Sequence, residues 1–266
     1  MTHRPGAPVV YELRLAGHLD DRWAAWFDGM TLARLPDGST LLRGPVADQA
    51  VLHGILARVR DLGASLTSVT ADGAGRRDNP LDRIAWPVRT ERLLLRPATP
   101  DDVGTTWRYR RLDAVSEWLP RAPATIEDYR AQSVEPHRLA TTVLVCLDDE
   151  VIGDLMIKVE DAWAQTEVVE QARGVQAELG WVLHPYHHGR GYATEAVCEA
   201  VRLCFEELGV RRITAHCFAA NTASWRLMER LGMRREAYTV QEGLHRSGEW
   251  MDGMAYALLA EEWGRG

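Results

Sequence analysis

The segment "AELGWVLHPYHHGRGYATEAV", residues 177–197, constrains this chain more than any other. It opens apolar like a buried strand, crosses two glycines and enters an alanine-rich run. Ala193, Ala196, Val197, Ala200, Val201, Cys204, Phe205 and Leu208 recur at helical spacing until Gly209, which predicts a buried helix. The turn between strand and helix is bare, because Gly189, Gly191 and Ala193 alternate with His188, Arg190 and Tyr192. Free N–H groups and the helix dipole make such a terminus an anion site, and Arg190 adds a cation. A phosphate suits it. A Walker loop needs Gly-Lys-Ser/Thr, and no lysine is present here. A dinucleotide fingerprint needs G-x-G-x-x-G, whereas this loop reads G-x-G-x-A-T. The loop alone leaves a plain turn and a phosphate site equally open.

With 266 residues, 46% hydrophobic and 26% charged, the chain has the makings of a soluble protein of two domains. Its net charge of −7 argues against a nucleic-acid partner. Residues 1–86 balance 10 arginines against 10 acidic residues, so the acidic excess lies in residues 87–266. That excess suits a cationic ligand such as an amine, or serves solubility alone. The four cysteines, Cys146, Cys198, Cys204 and Cys217, form no CxxC pair. No apolar run has the length of a signal peptide or a membrane span, so a cytoplasmic protein without a membrane partner is expected.

Residues 1–71 read as a small α+β module of unknown function. "VVYELRLAGHL" alternates as a strand, and "DDRWAAWFDGM" pairs Trp23 with Trp26 at helical spacing. "MTLARLPDGSTLLRGPV" is a hairpin turning at Pro36-Asp37-Gly38. "ADQAVLHGILARVRDLG" is a helix with Val51, Leu52, Ile55, Leu56 and Val59 inward, and "ASLTSVT" closes as a strand. The order βαββαβ is the ferredoxin-like arrangement, which assigns no function. Residues 72–87, rich in Gly, Pro, Asp and Arg, read as a linker, and residues 88–266 as a second α/β domain. In that domain "TERLLLRPATPDDV" is a strand running into a helix, and further helices fall around 102–111 and 125–133. "TTVLVCLDDEVIGDLMIKV" is a hairpin turning at Asp148-Asp149-Glu150, and residues 159–176 form a long polar connector. "RRITAHCFA" is a strand, and "ANTASWRLMERLGM" a short helix between Asn221 and Gly232.

Taken together, "ELGWVLHPYHHGRGYATEAV" and "AANTASWRLMERLGMRRE" resemble the GNAT superfamily of N-acetyltransferases. The likeness is closest to the branch of ribosomal-protein N-terminal acetyltransferases. "TERLLLRPATPDD" resembles the opening strand of that branch and "GEWMDGMAYALLAEEW" its closing strand, so the likeness covers about residues 89–264. It implies an acyl-CoA N-acyltransferase fold with a mixed, mostly antiparallel sheet. It further implies acetyl-CoA as cosubstrate without a metal, and transfer of the acetyl group to a small-molecule or peptide amine. A homodimer is compatible with it. The family's loop pattern Q/R-x-x-G-x-G/A falls on His188, Gly191 and Ala193, with His replacing Gln or Arg. By the resemblance, Gly189, Arg190, Gly191, Tyr192, Ala193 and Thr194 hold the pyrophosphate, and Trp181, Val182, Leu183 and His184 pair with pantetheine. Asn221 contacts CoA as well as capping its helix.

The resemblance also proposes catalytic residues. Glu178 lies near the family's general-base glutamate, and an ordinary strand carboxylate is the competing reading. His216 is a second candidate base, set against the reading of a satisfied strand histidine. Ser224, three residues after Asn221, is placed to serve the departing thiolate, or else only to satisfy the helix start. A tyrosine used elsewhere in the family is Met228 here. The spacing of His184, His187 and His188 lacks an acidic or cysteine partner for a metal. Two acidic, Trp-bearing segments are expected to border one acceptor mouth and favour a cationic amine. They are the connector, with Glu160, Asp161, Glu167 and Glu170, and "QEGLHRSGEWMDG", with Glu242, Glu249 and Asp252. A catalytically silent acyl-CoA sensor is the alternative to an enzyme.

Overall fold

The structure, a computed structural model, describes residues 9–264 apart from 21–22, 24–25, 28, 36, 48 and 73–78. Two compact units divide the chain, Met1–Asn79 and Pro80–Gly266.

In the first unit, β1 (Val9–Leu15), β2 (Thr31–Arg34), β3 (Thr40–Val46) and β4 (Leu66–Asp72) form an antiparallel sheet in the order β2-β3-β1-β4. Helix α1 (Gln49–Asp61) connects β3 to β4. This strand order is that of the split βαβ arrangement expected from the alternation. Asp37 accepts from Ser39 N–H at 3.0 Å and Gly38 takes φ +84°, which turns the β2–β3 hairpin. Leu52, Ile55 and Val59 point into the core with Leu13, Leu15 and Leu42. Val51, expected inward, is 43% exposed, because Leu52 and not its neighbour opens the i, i+3, i+7 stripe. The helix expected near Trp23 and Trp26 falls partly outside the described residues.

The second unit begins earlier than the composition suggests. Leu81 and Ile84 are buried in its core, so residues 80–87 belong to the fold and are not linker. Its strands are β5 (Val88–Arg89), β6 (Leu94–Pro97), β7 (Thr142–Leu147), β8 (Glu150–Glu160), β9 (Gln176–Leu183), β10 (Arg212–Phe218), β11 (Arg234–Leu244) and β12 (Trp250–Leu259). They form one sheet in the order β11-β12-β10-β9-β8-β7-β6-β5. Helices α2 (Val103–Arg110), α3 (Asp113–Ser116), α4 (Ile126–Ser133) and α5 (Pro136–Leu139) lie between β6 and β7. Helix α6 (Tyr192–Arg202) follows β9, and α7 (Thr222–Arg230) follows β10. The periodic run predicted as one helix to Leu208 changes at Leu203 to a π turn, closed by Leu208 N–H on Leu203 O at 3.0 Å.

Every neighbouring pair in this sheet is antiparallel except β9 and β10. That parallel ladder has three pairs and ends at Thr214 opposite Glu178. Beyond it β9 stays with β8 as far as Leu183 opposite Gly153, and β10 stays with β12 as far as Phe218 opposite Gly253. The two strands part, leaving a wedge at their C-terminal ends. Alternation along β9 sends Ala177, Leu179, Trp181 and Leu183 to the core shared with α6, and Glu178, Gly180 and Val182 to the other face.

On that other face a buried polar clamp holds α2 to the sheet. Asp154 is 3% exposed; its carboxylate accepts from Tyr109 OH (2.6 Å) and from Arg110 Nε (3.1 Å), with a second, closer contact to Arg110 Nη2. Burial opposes the charge on Arg110, and the adjacent Asp154 carboxylate outweighs it and raises the pKa. Burial, then Asp154, pushes the Tyr109 hydroxyl far above its ordinary value, so it stays a donor. Breaking such a pair leaves a desolvated charge without compensation. Asp154→Ala is therefore expected to cost about 3–5 kcal/mol in urea unfolding, with Asp154→Asn in between. A loss below about 1 kcal/mol in Asp154→Ala would show that the clamp is not needed to hold α2.

Candidate functional site

The wedge and the glycine loop meet at the same end of β9. His184 N–H donates to Ile152 O at 2.7 Å. The alternation of an antiparallel ladder then sends the backbone groups of Val182 and Gly180 to β8 as well, and turns those of Trp181 and Leu183 toward the wedge. Of the four residues expected to pair with an extended ligand, only Trp181 and Leu183 therefore offer backbone there. His188, the departure from the family's loop pattern, donates from Nε2 to Leu183 O at 2.9 Å and so closes part of that edge itself.

The loop is built on two left-handed glycines. Gly189 has φ +74° and Gly191 has φ +82°, and Gly191 caps α6. A Cβ on Gly189 would meet nothing within 4 Å, so the loop surface there is open. Among the described residues, the N–H groups of Gly189, Arg190, Gly191, Tyr192 and Ala193 have no protein acceptor; the first bonded amide is Glu195, on Gly191 O at 3.0 Å. Thr194 Oγ1 accepts from Arg230 Nη2 at 3.5 Å, which brings α7 beside the first turn of α6. Arg190 stays exposed, its guanidinium 5.8 Å from the Tyr186 ring centre. This cluster of donors around a cradle without side chains is the chemistry that a pyrophosphate requires.

His187 packs against the rings of His184, Tyr186 and Tyr192. Its Nδ1 is buried with no partner among the described residues, and burial lowers its pKa, so the ring is neutral. His184 Nδ1 instead accepts from Tyr186 N–H at 3.1 Å. The three histidines thus serve the turn. Among the described residues no cluster of His, Cys, Asp or Glu is grouped to hold a metal.

At the wedge, β9 and β10 set two of the candidate catalytic residues, Glu178 and His216, on one face. Glu178 stands opposite Thr214 on β10, partly exposed, with Lys158 Nζ 3.9 Å from its carboxylate. His216, exposed on β10, lies two residues further along the same face. At the start of α7, Asn221 Oδ1 accepts from Ser224 N–H at 3.3 Å. Asn221 therefore does the capping, and the Ser224 hydroxyl has no partner among the described residues. Met228, one turn on, is 1% exposed and belongs to the core.

Three features were not read from the sequence. Trp118, Phe218 and His245 form a ring cluster, with centroids 5.5–6.1 Å apart. His245 Nε2 donates to Glu117 O at 3.0 Å, tying the β11–β12 turn to the segment after α3. Arg92 and Thr90 reach across from the β5–β6 turn to Glu195 in α6. Nothing in local periodicity signals any of these, because each joins residues 27 to 128 positions apart.

One expectation fails. The connector follows Glu160, which pairs with Gln176 at the N-terminal end of β9, whereas Trp250 pairs with Leu244 beyond the other end of the sheet. At about 3.3 Å per residue, the eight residues of β9 alone set roughly 25 Å between them. The two acidic segments do not border one mouth. Asp252 is moreover engaged by Tyr238 OH (2.5 Å) and Gln241 N–H (2.9 Å), and Glu242 by Thr239.

Known proteins resemble both parts of the chain. The GNAT acetyltransferase domain family matches residues 92–234, and a domain of unknown function (DUF8691) matches residues 10–70. The uncharacterized N-acetyltransferase YnaD of Bacillus subtilis is 30% identical over 180 residues, 66% of this chain and 98% of that protein. The crystal structure of a GNAT-family acetyltransferase from Bacillus anthracis is 31% identical, with a TM-score of 0.56, over 66% of this chain and 99% of its own. Mycobacterium smegmatis RimJ, solved in complex with CoA-disulfide, shares the fold at 23% identity and a TM-score of 0.53, over 65% and 85% of the two chains. The family match spans more than half of this chain, which belongs to the GNAT family of acetyltransferases.

Proposed function

We propose that the protein transfers an acetyl group from acetyl-CoA directly to a primary amine, and that the wedge between β9 and β10 is where it does so. The observation that carries this reading is the meeting of two features at one place. A parallel ladder stops at Thr214 and Glu178, and a row of unpaired loop N–H groups begins where β9 ends. Acetyl-CoA supplies an activated acetyl thioester. The N–H groups of Gly189 to Ala193 bind its phosphates, and the backbone of Trp181 with the N–H of Leu183 orients the pantetheine arm, the Leu183 carbonyl being held by His188. Glu178 takes the proton of the acceptor ammonium on its carboxylate, and His216 is the alternative base on the same face. The Ser224 hydroxyl donates to the departing sulfur. Asn221, by capping α7 itself, leaves that hydroxyl free to do so. The acceptor class stays at primary amine, because the electrostatic argument for a cationic one needed both acidic segments at one mouth.

Three measurements test this. Thiol release from acetyl-CoA, assayed across primary amines and N-terminal peptides, is expected with at least one of them. CoA binding without any amine-dependent release would instead favour an acyl-CoA sensor. Gly191→Val is expected to weaken CoA at least tenfold by calorimetry, since a β-branched residue at φ +82° strains the loop and fills its floor. An unchanged affinity would remove the phosphates from this loop. Ser224→Ala and Glu178→Gln are each expected to lower kcat about 10²–10⁴-fold with CoA affinity held. A fall of less than threefold in either would return that residue to a structural role.

A further inference from the structure

A carboxylate in the first turn of a helix that binds an anion works against its ligand unless it is neutralised. Glu195 occupies that turn of α6, and its side chain is only 15% exposed. Both oxygens are engaged. Oε1 accepts from Thr90 Oγ1 at 2.5 Å and from Arg92 N–H at 2.8 Å, and Oε2 from Arg92 Nε at 2.7 Å and Nη2 at 2.6 Å. Burial raises the Glu195 pKa, but these bonds outweigh it and hold it below the usual carboxylate value, so the group is charged at neutral pH. Arg92 then has one arm left. Its Nη1 donates to Arg190 O at 3.0 Å, while the guanidinium lies 4.6 Å over the Tyr192 ring.

That last bond fixes more than a carbonyl. In a trans peptide the C=O and the N–H point in opposite directions. Holding Arg190 O on Arg92 therefore turns the Gly191 N–H away from Arg92, to the side where the loop donors have no protein acceptor. The packing beneath is close: a Cβ on Gly191 would stand 3.3 Å from Arg92 Nη2. The absent side chain at Gly191 thus makes room for the guanidinium under the loop.

We propose that Arg92, gripped by Glu195 and Thr90, is a positioning residue that presets the Arg190–Gly191 peptide to receive a phosphate group of CoA. The proposal rests on the reading of this loop as the CoA site. A peptide that begins one residue after Gly189 and ends on Gly191 has little of its own to hold its orientation, and without Arg92 the ligand has to order it on binding. Only a fork can do both jobs. Arginine reaches the carboxylate and the carbonyl at once from a planar group, whereas a lysine ammonium is a point donor.

The test uses the full-length protein. CoA is titrated by calorimetry into wild type, Arg92→Ala, Arg92→Lys and Glu195→Gln, and KM is compared for acetyl-CoA and for acetyl-pantetheine, which lacks the phosphates. Arg92→Ala is expected to weaken CoA about ten- to hundredfold, with Arg92→Lys recovering little of it and Glu195→Gln intermediate. The KM for acetyl-CoA should rise in step, and that for acetyl-pantetheine by less than twofold. Full recovery in Arg92→Lys would reduce the residue to a mere positive charge and overturn the proposal. An equal loss for both acetyl donors would overturn it too, by making the defect a general one of folding. Should Arg92→Ala not fold, Glu195→Gln with unaltered CoA affinity has the same force. If Gly191→Val abolishes CoA binding while Arg92→Ala does not alter it, the positioning role is wrong and the loop assignment stands. Wild type that takes up no CoA would refute the loop assignment itself, and this proposal with it.

Discussion

The parallel contact between β9 and β10 is the constraint on which the rest of the second unit turns. Antiparallel neighbours flank it on both sides, so each strand has one partner for its full length and another for only three residues. An unpaired strand edge inside a sheet is normally a liability, because its N–H and C=O groups go unsatisfied. Here it lies at a mouth where solvent or an extended ligand can meet those groups. The helix after β9 starts at that mouth, so the same topology gathers backbone donors of two kinds, from a strand edge and from a helix terminus, at one end of the sheet.

A site of this kind needs rigid walls. On one face they come from α6, whose Ala196, Val197, Ala200 and Val201 are buried against the sheet. On the other they come from α2, fixed through the buried Asp154, Arg110 and Tyr109. The cost of desolvating that ion pair is offset only because Asp154 has Tyr109 as well as Arg110, and because Arg110 bridges to both carboxylate oxygens. Asp154 sits on β8 opposite Val182 of β9, so the clamp acts one strand from the wedge. The ring cluster of Trp118, Phe218 and His245 continues this wall. It joins the segment after α3 to the β11–β12 turn and covers the end of β10.

Much of this was legible in the sequence where the signal is local. The strand and helix around the glycine loop, the hairpin at Asp148 and Asp149, and the Asn221 cap follow from spacing and turn chemistry. What could not be read depends on register and on long-range pairing. Whether Trp181 or Val182 faces the wedge is decided by which side β8 takes, and β8 lies a connector away. The separation of the two acidic segments is likewise a matter of strand direction. Their compositions look alike, and only the parallel course of β9 and β10 places one at the start of the strands and the other past their end. The exposure of Val51 and the start of the second unit at Pro80 are hidden for a nearer reason: a periodic run does not announce its own edges.

The bareness of the loop shows how one sequence feature can answer two demands. Read from above, Gly189 leaves an open surface, and a glycine suits both positions because Gly189 and Gly191 take positive φ. Read from below, Gly191 lets Arg92 approach closely enough to hold the Arg190 carbonyl and the Glu195 carboxylate together. A side chain at Gly191 would crowd the guanidinium directly, and the positive φ would strain the loop around it. Ser224 presents the converse case, in which one position is relieved of a demand. Its neighbour Asn221 satisfies the N-terminus of α7, Met228 is committed to the core, and the hydroxyl between them carries no structural bond among the described residues. A serine that the helix does not use, a few residues past the end of β10, is the kind of group that chemistry can use.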